Sequence, residues 1–516
     1  MPSLNHFLLA LSCRSPLGGS LMAKIRRRIG KKRGPFVVYH LATTADRLGC
    51  DVGQVKSIDI LPDDILLEVF EFCMDQNQTL ISKTEWWQSL VHVCRRWRCV
   101  VFRSSRCLRL RLRCTPKTPV RDTLDIWPSF PLVVDNIAGP TEDMDNVVAA
   151  LERRDRVDRI HLYEVNGSSF EKVLAAMQEP FPELMFLYLE LSSKEELVPI
   201  VPDSFLGRSA PHLRFLVLDG IPFPDLPKLP LSATNLVNLQ LWNIPHSGYI
   251  SPDAVVTALS ALTSLQFLNL EFRSPRSHPG QASRLPPPPT RTVLPALTII
   301  WFKGVCEYLD DLVARIDAPR LHDLHITFFN DVVFDGPQFI QFISRTPTLK
   351  AVENAHIVFR RRKAIINSSS QTSGCEVGIS CRELDWQVSS LEQLCASHFP
   401  PLSTLEDLYI YELPHGEPPD WRDNTENTLW LDLLHRFTTV KNLYLSKEFA
   451  PRIVAALQEL VDGRTTEVLP TLQNIFLEEV EPGGRVQEDI GKIVAVRQLS
   501  GHTMTVSHWE RDSGRE

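Results

Sequence analysis

At 516 residues the chain is too long for one compact core. Hydrophobic residues make up 43% and charged residues 23%, as in ordinary folded proteins, and no apolar run reaches the ~20 residues that a membrane-crossing helix needs. The net charge of −7 is uneven: nine Lys/Arg against Asp46 give the first 50 residues +8, which leaves −15 for the rest, an acidic body that repels nucleic-acid phosphates.

Residues 1–55 have no sustained periodicity and read as a disordered basic tail. Its short apolar run, Phe7–Leu11, follows no basic residue and makes a poor signal peptide. The cluster Lys24–Arg33 reads either as a nuclear-localisation signal or as a solvated arm. Eleven cysteines form no CxxC pair, which points to a reduced intracellular protein with buried thiols. The triplets Asn77-Gln78-Thr79 and Asn166-Gly167-Ser168 match the glycosylation pattern but carry no meaning in such a compartment.

A helix is expected to start at Leu61-Pro62-Asp63-Asp64, where Pro suits the first turn and the acids suit the positive end of the helix dipole. Ile65, Leu66, Val69, Phe70 and Cys73 then form one apolar stripe. A polar connector, Asp75–Thr84, leads to a second helix with Trp86, Leu90, Val93, Cys94, Trp97 and Val101 on one face and Arg95, Arg96 and Arg98 on the other. Leu108, Leu110 and Leu112 alternate with arginines and read as a strand, and 113–154 reads as a connector.

From about residue 155 to 497 a unit L-x-x-L-x-L recurs. It runs through Leu184/Leu187/Leu189, Leu213/Leu216/Leu218, Leu236/Leu239/Leu241 and Leu265/Leu268/Leu270. Variants follow at Leu297/Ile300/Phe302, Leu321/Leu324/Ile326, Leu405/Leu408/Ile410, Val440/Leu443/Leu445 and Leu472/Ile475/Leu477. Helical patterns such as Pro252–Leu262 and Leu309–Ile316 lie between them, so strand and helix alternate as in a solenoid. The places after the strands are apolar (Ile221, Ile244, Val305, Leu413, Val480), so no asparagine ladder is expected and the repeat is irregular. Loop insertions are expected near 273–292, with its four consecutive prolines, and near 360–374, with its basic and serine runs. A polar tail covers 498–516.

The segment Leu61–Leu112 resembles the F-box, through Leu61-Pro62, Ile65, Leu66, Phe70, Leu90 and above all Val91-His92-Val93-Cys94-Arg95-Arg96-Trp97-Arg98. Thr115-Pro116-Lys117-Thr118-Pro119-Val120-Arg121-Asp122 and Trp127-Pro128 look like F-box proteins of mushroom-forming fungi. The Asp75–Thr84 connector is longer than in a compact F-box. The expected fold is α/β: a short helical F-box at 56–112, then an irregular leucine-rich-repeat-like β/α solenoid.

The resemblance implies docking on the Skp adaptor of a cullin-RING ubiquitin ligase. It implies that Leu61, Pro62, Ile65, Leu66, Val69, Leu90, Val93 and Trp97 form that apolar interface or its supporting core. It further implies a non-catalytic substrate adaptor, cytoplasmic or nuclear, with a target protein held by the repeats. The alternative is a repeat-based scaffold with no role in ubiquitylation. Strand alternation points one position in two away from the core, and those positions are rich in aromatics. Tyr188, Phe215, Trp242, Phe267, Trp301, Tyr409 and Tyr444 are therefore the candidate target contacts, the alternative being that loops fold over this face and the aromatics are core. Glu190, Asp219, Glu271, Asp323, Asp407 and Glu478 outnumber Lys303 among those positions, which favours a target with a basic segment. The chain contains no P-loop, GxGxxG after a strand, GxSxG or HExxH, and nothing calls for a cofactor or metal.

Overall fold

The structure, a computed structural model, describes residues 62–67, 70, 90–104, 111–126, 129–136, 144–192, 199–224, 226–231, 233–275, 290–329, 336–349, 354–369, 373–381, 383–396, 402, 405–413, 426–460, 467–478 and 484–511. The tail 1–55, Leu61, Val69, Cys73, the Asp75–Thr84 connector, Trp86, Leu108, Leu110, Trp127-Pro128 and Val480 lie outside them. The chain divides into two units, between Arg159 and Ile160.

In the first unit, Pro62 opens a helical turn over 63–67, and its carbonyl accepts from the Leu66 amide at 3.1 Å. Helix α1 (Arg95–Arg103) is capped by Cys94, whose sulfur accepts from the Trp97 amide. Leu66, Phe70, Leu90 and Trp97 are buried, with Phe70 and Trp97 edge to face at 4.9 Å. Beyond them come β1 (Leu112–Cys114), α2 (Val120–Ile126), β2 (Leu132–Asp135) and α3 (Asp145–Leu151). β1 and β2 pair in parallel, and the Arg113 guanidinium neutralises the fully buried Asp135 at 2.5 Å. The expectation of a plain connector over 113–154 is thus corrected, because its described residues form strand–helix units. Leu132-Val133-Val134 is too short a run to display the leucine repeat, yet all three side chains are buried.

In the second unit the chain alternates strand and helix. β3 (Val157–Val165) contributes its residues from Ile160 on. There follow α4 (Gly167–Ala176), β4 (Phe186–Leu191), β5 (Phe215–Asp219), β6 (Asn238–Ile244), α5 (Pro252–Ser260), β7 (Phe267–Phe272), β8 (Thr292–Val293), β9 (Ile299–Gly304) and α6 (Cys306–Ala314). Next are β10 (Ile316–Asp317), β11 (Asp323–Phe329), α7 (Pro337–Arg345), β12 (Asn354–Arg360), β13 (Lys363–Ser369), β14 (Gly374–Ser380), α8 (Leu384–Ala396) and β15 (Asp407–Glu412). The unit ends with α9 (Asn427–His435), β16 (Asn442–Leu445), α10 (Ala450–Gln458), β17 (Asn474–Glu478), α11 (Arg485–Leu499) and β18 (Thr505–Trp509).

Its main sheet runs β3-β4-β5-β6-β7-β9-β11-β14-β13-β12-β15-β16-β17-β18. From β4 on, neighbours are parallel except around β13, which is antiparallel to β12 and β14. Leu187, Leu216, Leu239, Leu268, Ile300 and Leu324 stand side by side across six strands and are all buried. Eight of the repeats enter their strands through the same turn. The leading leucine amide bonds the carbonyl three residues back at Leu184, Leu213, Leu236, Leu265, Leu297, Leu321, Leu405 and Leu472. Each of these leucines is buried, which contributes ~1.5–3 kcal/mol apiece. Two helix starts of this unit carry side-chain caps. Asn166 accepts from the Ser169 amide, and Ser251 accepts from the Ala254 amide ahead of Pro252. Successive helices pack on one another over the core face, α5 on α6, α6 on α7, α8 on α9, α9 on α10 and α10 on α11. The unit is a leucine-rich-repeat-like β/α fold.

Two further expectations are corrected here. The segment 360–374, read as a loop from its Arg and Ser runs, contains strand β13, whose Ala364, Ile365 and Ile366 are buried. It lets the chain step out to β12 and return to β14 beside β11. The tail at 498–516 includes β18, which pairs with β17 from Asn474↔Thr505 to Glu478↔Trp509. Of the 273–292 insertion, residues 276–289 lie outside the described ones, while Thr292–Val293 pairs with Ile316–Asp317. Among the described residues, no helix is long and apolar enough to cross a membrane.

Candidate interaction face

The outward positions of the repeat come into rows because the strands pair without offset. Phe186, Phe215, Asn238, Phe267, Ile299 and Asp323 form one row, and Tyr188, Val217, Gln240, Asn269, Trp301 and His325 the next. Phe215 and Trp301 are 36% exposed. Tyr188, Trp242, Phe267, Tyr409 and Tyr444 are half-buried. The face gathers into three groups rather than one.

At the β3–β5 end, His161 stacks on Phe186 at 4.3 Å, Tyr163 on Tyr188 at 4.6 Å, and Phe186 on Phe215 at 5.8 Å. The Tyr188 hydroxyl donates to Glu190 at 3.0 Å. Burial pushes both the Tyr188 phenol and the Glu190 carboxyl upward. On β6 the Trp242 indole donates to Gln240 at 3.0 Å, and Gln240 donates to Asn238 at 2.8 Å. Asn269, flanked by Gln240 and Trp301, is fully buried and donates to Glu271 at 3.1 Å.

In the middle, Trp301 meets Phe267 and His325 edge to face, each at 5.3 Å. His325 bridges Asp323 at 3.0 Å and Glu376 at 3.6 Å, and Lys363 pairs with Glu376 at 2.9 Å. Hydrogen bonding to Asp323 and Glu376 raises the His325 pKa to about 9. Burial alone pushes Glu376 up, but the His325 hydrogen bond and the Lys363 charge outweigh it and hold the carboxyl at about 2.

At the β12–β18 end, His356, Tyr409, Tyr444 and Phe476 stack face to face. The centroid steps are 4.4, 4.1 and 4.4 Å and the interplanar angles 9°, 12° and 7°. Trp509 lies across this stack. Beside it runs a side-chain ladder: Asn442 donates to Asp407 at 2.6 Å, Asn474 to Asn442 at 2.7 Å and Thr505 to Asn474 at 2.5 Å. Among the described residues the places after the strands carry no such ladder, and Ile221 and Ile244 there are buried. The ladder forms instead at the first outward position, where equal register brings Asp407, Asn442 and Asn474 together.

Sequence reasoning missed His161, Tyr163, His356, Glu376, Lys363, Trp509 and Arg511 on this face. Glu376 and Lys363 stand on the unrecognised β13–β14 strands. The signal that could have found them is the alternation of Cys375, Val377 and Ile379. Trp509 was hidden in polar sequence.

In the first unit the apolar helical stripe splits. Leu66, Leu90 and Trp97 face inward, whereas Pro62, Ile65 (36% exposed) and Val93 (57% exposed) face outward. Arg96 pairs with Asp63 at 2.7 Å and ties the two helical pieces together.

Fold and face define a leucine-rich-repeat-like protein of strand–helix units with an aromatic open face. No protein-family model matches the chain, and no curated protein matches it. Among solved structures it is similar to the leucine-rich repeat-containing protein LegL7 from Legionella pneumophila, at 12% identity, over 74% of this chain and 97% of that one. The TM-score is 0.26, and the repeat assignment rests on the strand register.

Proposed function

We propose that the chain is the substrate-recognition subunit of a Skp-cullin-F-box ubiquitin ligase, a non-catalytic protein that binds the Skp adaptor through residues 62–103 and a target through the open face of its repeats. The observation that carries the reading is the outward placement of Ile65 and Val93 on a helical segment whose inner face is filled by Leu66, Phe70, Leu90 and Trp97. Two short helical pieces with apolar side chains on both faces have one face left to bury against a partner. This is the arrangement that the F-box resemblance calls for.

For the target end, support comes from the half-exposed aromatics and the carboxylates around them, a composition suited to an extended protein segment carrying Arg or Lys. Such a protein acts in the cytoplasm or nucleus. Affinity capture of cell proteins on the wild-type chain and on Trp301→Ala and Trp242→Ala variants tests the target end. Targets are expected to be lost while each variant still melts cooperatively, within about 1–3 kcal/mol of the wild type. Retention of every captured protein by both folded variants contradicts the face assignment. The adaptor end is tested with purified Skp adaptor.

A further inference from the structure

The tyrosine stack already holds a segment of this chain. β18 is an outer strand whose core-side residues contribute little: Val506 is 40% exposed and His508 is exposed as well. Within 505–511 only Trp509 and Arg511 are partly covered. The Trp509 ring sits 5.8 Å from Tyr409 and 5.7 Å from Tyr444, at 57° and 69° to their planes, and 6.5 Å from Tyr411. The Arg511 guanidinium lies 5.3 Å from the Tyr411 ring centre, donates to the Glu412 carbonyl at 2.9 Å and stands 3.7 Å from the Glu478 carboxylate. The segment is extended and pairs along β17 through its backbone. The tray therefore supplies a π surface for an aromatic ring, a carboxylate and a carbonyl for a cation two residues further on, and a strand edge that sets the spacing between them.

We infer that this tray is a recognition site for an extended peptide segment carrying an aromatic residue followed two residues later by arginine, and that Trp509–Arg511 fills it in cis until a partner segment displaces it. The inference rests on the reading of the open face as a protein-binding surface. A tethered segment has an effective concentration of the order of millimolar, so a free peptide with the same contacts competes poorly against it.

The probe is a fluorescein-labelled synthetic peptide, Thr-Val-Ser-His-Trp-Glu-Arg-Asp, the sequence of 505–512. Its anisotropy is titrated with the full chain and with the full-length double variant Trp509→Ala/Arg511→Ala. Binding to the double variant is expected to be at least tenfold tighter than to the wild type. It is expected to vanish when Tyr444→Ala is added, or when the peptide's own tryptophan is alanine. Equal affinity for wild type and double variant, or no binding to a double variant that melts cooperatively, overturns the inference. Should the double variant not fold, Arg511→Ala alone, which keeps Trp509 packed, decides. An affinity above wild type supports the cis occupant, and an unchanged one overturns it. Adaptor binding and the Trp301→Ala capture result are independent of this titration, so its failure is separable from failure of either part of the proposed function.

Discussion

Tyr444 lies on Tyr409 with 4.1 Å between ring centroids, and its other face meets Phe476 at 4.4 Å. The stack exists because β15, β16 and β17 pair without offset at Tyr409↔Tyr444↔Phe476. Tyr444→Ala removes a ring inside the stack and both of its face-to-face contacts, along with the edge contact of Trp509. At ~0.5–1.5 kcal/mol per aromatic pair, the expected loss of stability is about 1–3 kcal/mol. Tyr444→Phe keeps the ring and is expected to lie within ~0.5 kcal/mol of the wild type. Urea titrations of the three proteins measure this. An alanine variant as stable as the phenylalanine variant would show that the stack contributes nothing.

Stability is expected to depend on pH through His325. Asp323 and Glu376 raise its pKa from 6.5 to about 9. The contribution of the imidazolium is fully present below pH 6.5 and disappears as pH rises to 9. The melting temperature should therefore fall across that interval, and His325→Gln should flatten the fall. Glu376, held at about 2 against an ordinary 4.5, acts in the opposite sense and loses its contribution between those values on acidification. Identical pH profiles for wild type and His325→Gln above pH 6.5 contradict the assignment.

Two tryptophans separate core from surface. Trp430 is fully buried, 5.7 Å from both Phe359 and Phe449, and Trp430→Ala is expected to cost about 3–5 kcal/mol. Trp386 is 55% exposed, and its alanine variant is expected within ~0.5 kcal/mol of the wild type. Thermal melts that rank them the other way contradict the packing described for α8 and α9.

Gly378 makes room for a side chain. A Cβ there would lie 2.1 Å from Lys363 Cε, so Gly378→Ala has to swing the lysine off Glu376. The expected cost is up to about 1 kcal/mol, the scale of a partly exposed ion pair. In a Lys363→Met background the same substitution should cost little. A double-mutant cycle measures the difference, and strict additivity contradicts the arrangement.

The regular repeats were legible because each leucine triplet combines period-two alternation with burial on one face, as at Leu216 and Leu218. The outward aromatics followed from the same alternation. Which ring stacks on which did not, because cross-strand register is set by the turns and helices between strands. β13 was missed because Arg360–Lys363 and Ser368–Ser370 suggest solvent, although Ile365 and Ile366 between them are core. β18 was missed because four of its five residues are exposed and leave no hydrophobic pattern. The split of the N-terminal stripe into buried Leu66 and exposed Ile65 depends on which side chains meet Phe70 and Trp97, a tertiary relation invisible to periodicity.

The central claim is that the outward apolar side chains of the first unit bind the Skp adaptor. Calorimetric titration of purified Skp adaptor into the full chain, and into an Ile65→Asp/Val93→Asp variant, tests it most directly. Both side chains are exposed, at 36% and 57%, so the variant is expected to keep the wild-type melting temperature while its affinity falls at least tenfold. Tyr444→Ala should bind the adaptor as the wild type does. No binding by the wild-type chain, or unchanged affinity in the folded Ile65→Asp/Val93→Asp variant, would contradict the account.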